Sequence, residues 1–478
     1  MVTLIAGLIL LAIPFMLLGL FSDKKKGFVY VLFFLLVFQS ILGLLTQVLG
    51  MFYYWLIISV MLVADIAVLF YLLKLRKKFL FNLRNIDWVV IFVVIISAVC
   101  LFQVHYNYTG KINLATDQVV SYHEVKNMVY PYPYFSDEWY AVSLVQGAID
   151  NHSLPVKNIL SNSFFPNLEL FFHSFVAQIV LLLGLNPLFS YTALSIFFNA
   201  LIILLIYLFL RINKIPKLTA GVCSLLALYI TSGANLPGLW QFIPLNSGII
   251  FFILSLCFIE LKDIKIACLS SIVASLFYPP LFLFYFIAYV TFFVCNIKIF
   301  KERLLKTIGY GALALFFILP TFYILLMISP FAQRISYLLS RVFFTAFTAP
   351  LVPCVNFYDI IPLPAILLAI FGIYYICKNK KWEILSVFIL GLIYWFTYSF
   401  TNYRFFSEFE RILILTSTII VIISGFGLKQ LEYYVEAKFN KDWYKVVKIA
   451  EVVTLAVFLF LVPFYTQGEN WKVWRRHY

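Results

Sequence analysis

From residue 2 to residue 465 the chain alternates between apolar runs of roughly 20 residues and short clusters of lysine and arginine, which leaves one broad architecture open. A helix needs about 20 residues to cross a hydrocarbon core roughly 30 Å thick. Inside lipid only helices or closed barrels satisfy every main-chain hydrogen-bonding group. With 64% hydrophobic and 12% charged residues and a mean hydropathy of +0.99, too little polar surface remains for a soluble fold. The pattern predicts an all-α polytopic membrane protein with about fourteen transmembrane helices. The first run, 2–21, lacks a basic leader and a small-residue cleavage pattern, and it reads as a retained helix rather than a signal peptide.

A net charge of +14 on a soluble chain would suggest nucleic acid as a partner, but here topology explains it and no nucleic acid is expected. Seven basic clusters lie at 24–26, 74–84, 211–217, 262–265, 298–306, 378–381 and 429–448, and together they hold 25 of the 35 lysines and arginines. Placed on the cytoplasmic side by the positive-inside bias, they require an outer amino terminus. The spans then fall near 2–21, 28–49, 52–73 and 86–104, with a long outer loop over 105–187. Two apolar runs, 168–185 and 188–210, separate the polar part of that loop from Arg211. If both crossed, Arg211, Lys214 and Lys217 would be outside. The first run carries Glu169 and His173 and ends at Gly184-Leu185-Asn186-Pro187, a turn signal. It is expected to be re-entrant or interfacial. The remaining spans fall near 188–210, 218–234, 242–260, 266–278, 281–297, 307–328, 361–377, 382–400, 411–428 and 448–465, with a second outer loop over 329–360. Six of the seven cysteines lie in apolar runs and none forms a C-x-x-C pair, so structural disulfides and zinc sites are not expected.

Chemistry belongs on the outer face, where acidic residues accumulate in the polar stretch 130–173. Its centre is the pair Asp137-Glu138, after a proline-broken segment and at the start of an amphipathic run whose apolar stripe is Trp139, Val142, Val145 and Ile149. This run is expected to form an interfacial helix capped by Ser136 or Asp137. An acidic pair in such a place is often only a cap and first turn. His173 is a candidate for substrate contact. The late loop supplies Tyr403, Arg404 and Arg411, with Glu408 one turn from Arg404, and the second outer loop supplies Arg334 and Arg341, seven residues apart. These cations could bind a phosphate, or could neutralise neighbouring acids or snorkel at a membrane end. Asp65, alone in the third span, is a functional candidate by its position in the membrane. The tail Trp471 to Arg476 reads as an interfacial anchor.

The order Asp137-Glu138, Tyr140, Gly147, Leu154-Pro155 and Phe165-Pro166-Asn167-Leu168-Glu169 leading to His173 resembles the first outer loop of GT-C-fold membrane glycosyltransferases. The nearest pattern is the protein O-mannosyltransferase and aminoarabinose-transferase branch. The likeness covers about 75 residues of the chain. It departs from the family pattern where the acids lie some 30 residues beyond the preceding span and where Phe165-Pro166-Asn167 replaces a double proline. The resemblance implies a GT-C-like core over 86–478 preceded by additional helices over 1–85, with interfacial helices in the first outer loop. It implies an inverting enzyme that moves a sugar from a polyprenyl-phosphate donor to a glycan, lipid or protein acceptor on the outer face, with Asp137 as general base and Glu138 assisting. Arg404 and Arg411, alongside Tyr403, would then meet the donor's phosphate, with Arg334 and Arg341 as the alternative phosphate binders and His173 as a substrate contact. A divalent cation, Mg or Mn, held by Asp137 and Glu138 is conceivable, but one carboxylate pair is a weak metal signal. The alternatives from other classes are a flippase for lipid-linked oligosaccharides and a polymerase or ligase of surface polysaccharide.

Overall fold

The computed structural model describes residues 1–21, 23–74, 87–106, 108–115, 120–129, 132–133, 136–155, 169–230, 239, 241–295, 361, 363–401, 409–438, 441–465 and 470–474. Among them the chain is almost entirely helical, and five helices are long and apolar enough to cross a membrane. These five are α2 (Lys24–Val48), α3 (Tyr54–Lys74), α7 (Pro187–Ile212), α13 (Trp382–Thr401) and most of α14 (Phe409–Lys438). The shorter ones are α1 (Val2–Ala12), α4 (Trp88–Tyr106), α5 (Ser136–Asn151), α6 (Leu170–Leu183), α8 (Lys217–Leu225), α9 (Pro244–Glu260), α10 (Ile264–Phe277), α11 (Phe282–Cys295) and α12 (Leu363–Lys378), and α15 (Lys441–Tyr465) closes the series.

Local chemistry sets the helix ends. Asp23 caps α2 by accepting from the Lys25 amide at 3.1 Å. Asn186 caps α7 through the Leu188 and Phe189 amides, with Pro187 at the first helical position. Gly184 ends α6 in the left-handed region at φ 60°. The run 2–21 is not one helix: Pro14 stands in a 3-10 segment, Ile13–Leu20, that follows α1. The expected span near 307–328 and the loop 329–360 lie outside the described residues.

Contacts divide the chain into two compact units. The first joins Met1–Asp87 to Pro131–Leu194, so the acidic segment of the outer loop packs with the N-terminal helices. Its seam is between α2 and α6. Gln47 and Ser174 bond side chain to side chain at 3.2 Å, and about one turn farther along α6 the Gln178 amide donates to Gln39 at 3.1 Å. At Gly43 a Cβ would stand 2.6 Å from the Ser174 carbonyl, which makes the close approach possible only for glycine. The contacts fall at decreasing positions on α2 as α6 advances, so the two helices run antiparallel. With 14 residues, α6 is about 21 Å long, short of a full crossing. At the end of α5, His152 docks on the α2–α3 turn: Phe52 N donates to the His152 carbonyl at 3.1 Å, the His152 ring lies 3.1 Å from the Phe52 carbonyl, and it packs on Tyr53 at 4.2 Å.

The second unit joins Trp88–Tyr130 to Ser195–His477. Four of the seven basic clusters meet at one end of it. Lys429 reaches the Lys214 carbonyl at 3.4 Å and the Tyr375 hydroxyl at 3.1 Å, and Lys381 pairs with Glu260 at 2.6 Å. Lys448 bonds Glu432 at 2.9 Å and Glu451 at 3.0 Å, with Thr219 hydrogen-bonded to both carboxylates. From this end α15 runs away for about 36 Å. Beyond it lies a three-stranded sheet in the order β2-β1-β3, formed by β1 (Tyr108–Ala115), β2 (Val120–Met128) and β3 (Asn470–Trp474). β1 pairs antiparallel with β2, from Tyr108 opposite Met128 to Ala115 opposite Val120, and parallel with β3, Ile112 standing opposite Trp471. Residues Asn470–Trp474 of the tail form an edge strand of this sheet. The sheet is a small addition to an otherwise helical chain.

Candidate active site

The acidic pair sits in the first turn of α5. Since the helix begins at Ser136, Asp137 is inside it and not its cap. Consecutive helical residues point about 100° apart, and the two carboxylates have different surroundings: Glu138 is only 2% exposed, whereas Asp137 is half-buried. The expected narrow stripe is broader in the fold. Ala141, Val142, Leu144, Val145 and Ala148 are buried, while Trp139 and Ile149 stay partly open. α5 is thus enclosed by its own unit on more than one face, chiefly against α6.

Three carboxylates act electrostatically on one buried tyrosine. Tyr191, fully buried near the start of α7, lies within electrostatic range of Glu138, Asp137 and Glu169. Glu169 occupies the N-cap position of α6 and also acts on Tyr140, whose phenol is pushed up from its ordinary value by burial first and by that carboxylate second. Tyr140 in turn meets His173 edge-on at 5.7 Å. His173 is 3% exposed, and burial lowers its imidazole to about 3, partly offset by a hydrogen bond to the Glu169 main chain. It is therefore neutral at physiological pH. Tyr132 stacks beside Trp139, 6.4 Å between centroids, and meets Phe189 at 5.8 Å, which adds an aromatic wall next to the pair.

Among the described residues no group of three or more His, Cys, Asp and Glu side chains is arranged to hold a metal ion.

Of the expected phosphate contacts, Arg411 is described. It lies at the start of α14, its guanidinium 5.7 Å from the centre of the Tyr278 ring. Arg411 stands about 27 Å along α14 from Lys429, at the end opposite the basic clusters. Tyr403, Arg404, Arg334 and Arg341 lie outside the described residues. Asp137, Glu138 and His173 belong to the first unit and Arg411 to the second. Asp65 is buried on α3, and His152 is held by the α2–α3 turn.

Glu169 and Tyr191 were not singled out for this cluster by sequence reasoning. Glu169 stood on the expected non-crossing run and in the resembling motif but without a role in a cluster, and Tyr191 looks like any tyrosine at a helix start. The Thr219, Glu432, Lys448 and Glu451 network also went unread, although Glu451 beside an apolar run was its signal. Comparison with protein-family models finds no match, and comparison with curated proteins finds none either.

Proposed function

We propose that this chain is an integral-membrane, GT-C-like inverting glycosyltransferase that moves a sugar from a polyprenyl-phosphate donor to an acceptor hydroxyl on the outer face. The observation that carries the reading is the first-turn pair: two adjacent carboxylates, one buried and one half-buried, in a cluster with Glu169, Tyr140, Tyr191 and His173. Asp137 is the half-buried one. It takes the proton of the acceptor hydroxyl as that oxygen attacks the anomeric carbon. The bond from that carbon to the lipid-phosphate oxygen breaks, and its electron pair leaves with the phosphate. A positioned base of this kind is worth about 100- to 10,000-fold in rate.

Glu138 and Glu169 keep the site electronegative, so Asp137 acts on an acceptor held by the aromatic faces of Tyr132 and Trp139. Charge developing on the departing phosphate calls for cations at the outer end. Arg411 is one such group, and Tyr403, Arg404, Arg334, Arg341 and the neutral His173 complete the proposed donor contacts. In this reading α6 runs along α2 without crossing, and the chain has about fourteen spans. The acceptor is a glycan, a lipid or a protein.

Reconstitution tests the assignment. Asp137→Asn in vesicles supplied with a glycosylated polyprenyl phosphate is expected to lower transfer at least about 100-fold while the protein keeps its thermal midpoint. Wild-type transfer by that variant would sink it. A flippase would instead deliver the lipid-linked sugar intact to the other leaflet, which product analysis separates from bond cleavage.

A further inference from the structure

Near the outer end of the second unit, at the start of α9, lies a group of buried polar side chains that the proposed chemistry does not yet use. Asn199 on α7 donates to the Gln241 carbonyl at 2.8 Å, and Asn246 donates to the Asn199 side chain at 2.8 Å while accepting from the Ile243 amide at 3.2 Å. The two asparagines thereby hold the chain entering α9 against α7. Gln241 itself is 1% exposed, and among the described residues neither its Oε1 nor its Nε2 has a partner. The Oγ of Ser247, in the first turns of α9 and 2% exposed, has none either. A dry site with three unpaired polar atoms is costly, since each buried unsatisfied group loses its hydration without return.

Position adds to chemistry. α9 has 17 residues, and its far end, Glu260, is tied to Lys381 among the basic clusters. Its start is therefore about 24 Å from that end, within the depth of a bilayer core. Non-helical chain at such depth is tolerated where it is packed in protein or lines a cavity. Arg411, about 27 Å from the same end along α14, stands at a matching level. One tyrosine separates the two: Tyr278 carries the Arg411 guanidinium over its ring, and its Cβ lies 3.0 Å from where Gly248, next to Ser247, would place a side chain.

We infer that Gln241 and Ser247, framed by Asn199 and Asn246, form the pocket for the donor's sugar ring, with Arg411 beside it at the lipid phosphate. This deepens the glycosyltransferase reading and rests on it. The chemistry selects a sugar over an anion. A phosphate oxygen only accepts, and would leave the Gln241 carbonyl oxygen unanswered, whereas a hydroxyl both donates and accepts. Adjacent ring hydroxyls answer both halves of one amide, and a third answers Ser247. The parallel stack of Phe198 and Phe242, 4.4 Å between centroids, lies in the same stretch, since Phe242 follows Gln241.

The test measures binding to the purified full-length protein in nanodiscs. The probes are bare polyprenyl phosphate and polyprenyl phosphates carrying a mannosyl, glucosyl or aminoarabinosyl group. Wild type is expected to prefer at least one glycosylated lipid over the bare one by about tenfold or more. Gln241→Leu removes that preference and leaves affinity for the bare lipid unchanged. Its thermal midpoint stays level or rises, because the substitution deletes two unsatisfied polar atoms, so misfolding cannot account for the loss. Ser247→Ala gives a smaller loss in the same direction. The inference is overturned if Gln241→Leu keeps the wild-type preference, as it would if the group held water only, or if wild type prefers none of the three sugars. Failure to bind any of these lipids, the bare one included, would instead overturn the glycosyltransferase reading and this inference with it.

Discussion

Asp137 and Glu138 are neighbours in sequence with different environments, and the proposed division of roles between them rests on that difference. The buried Glu138 is available to shape the field of the site, and the half-open Asp137 is available to exchange a proton with an acceptor. Their presence at a helix start was legible from the residues alone. Which one faces outward was not, because that depends on α6 covering one side of the turn. His173 carries a second prediction. Its imidazole is lowered to about 3 by burial, against about 6.5 in an unfolded chain. Between those values the unfolded state binds more protons than the folded one, so stability is complete above pH 6.5 and falls as the pH drops, by up to about 1.4 kcal/mol per unit. His173→Phe, which packs a similar ring without the titration, is expected to flatten the midpoint-against-pH curve in that window. An unchanged acid slope in the variant would show that other groups control it.

The seam between α2 and α6 has a different origin: it depends on what is missing. Gly43 lets the backbone of α6 approach until Ser174 and Gln178 meet Gln47 and Gln39. Gly43→Ala forces the Ser174 carbonyl back from a 2.6 Å clash, a change that costs about 1–3 kcal/mol by overpacking. Since α6 also carries Glu169 and His173, transfer by Gly43→Ala is expected to fall more than its thermal midpoint does. Gly427→Ala in α14, where a Cβ would overlap the Leu368 carbonyl of α12, provides the contrast, with stability lost inside the second unit. If the two variants lose activity and stability in the same ratio, α6 does not position the site. Apolar runs placed most helices within a few residues, α9 and α13 among them, because length and hydropathy are local properties. Pro14 breaking the first run was equally local and was passed over. The strands were written as alternation in Lys111-Ile112-Asn113-Leu114 and in Ser121-Tyr122-His123-Glu124-Val125, a weak signal amid long helical runs. The pairing of the first with a segment some 360 residues later has no local signature.

Membrane topology is where sequence charge and three-dimensional contact make independent statements about the same chain. The positive-inside argument counts residues and knows nothing of packing. The contacts of Lys214, Lys429, Lys381, Lys448, Glu260 and Thr219 know nothing of membranes, yet they gather four basic clusters at one end of the second unit. The sheet joins the segment after α4 to the segment after α15, so these two helices end beside one another. Within the first unit, the Phe52 and His152 bond places the α2–α3 turn beside the end of α5, which the count also puts outside. Single cysteines in a background with all native cysteines replaced by alanine turn this agreement into a measurement. Lys26, Lys214 and Lys380 are exposed positions in three of the basic clusters, and Met51 and Val129 are exposed positions in the expected outer segments. In intact cells a membrane-impermeant maleimide is expected to label Met51→Cys and Val129→Cys, and to reach Lys26→Cys, Lys214→Cys and Lys380→Cys only after permeabilisation. Labelling of Lys214→Cys together with Val129→Cys in intact cells would mean that α6 crosses after all, since one additional crossing between the acidic pair and Arg211 reverses the side of every later cluster. That outcome would put the proposed base, Asp137, and the proposed phosphate contact, Arg411, on opposite sides of the membrane, which the proposed transfer does not allow.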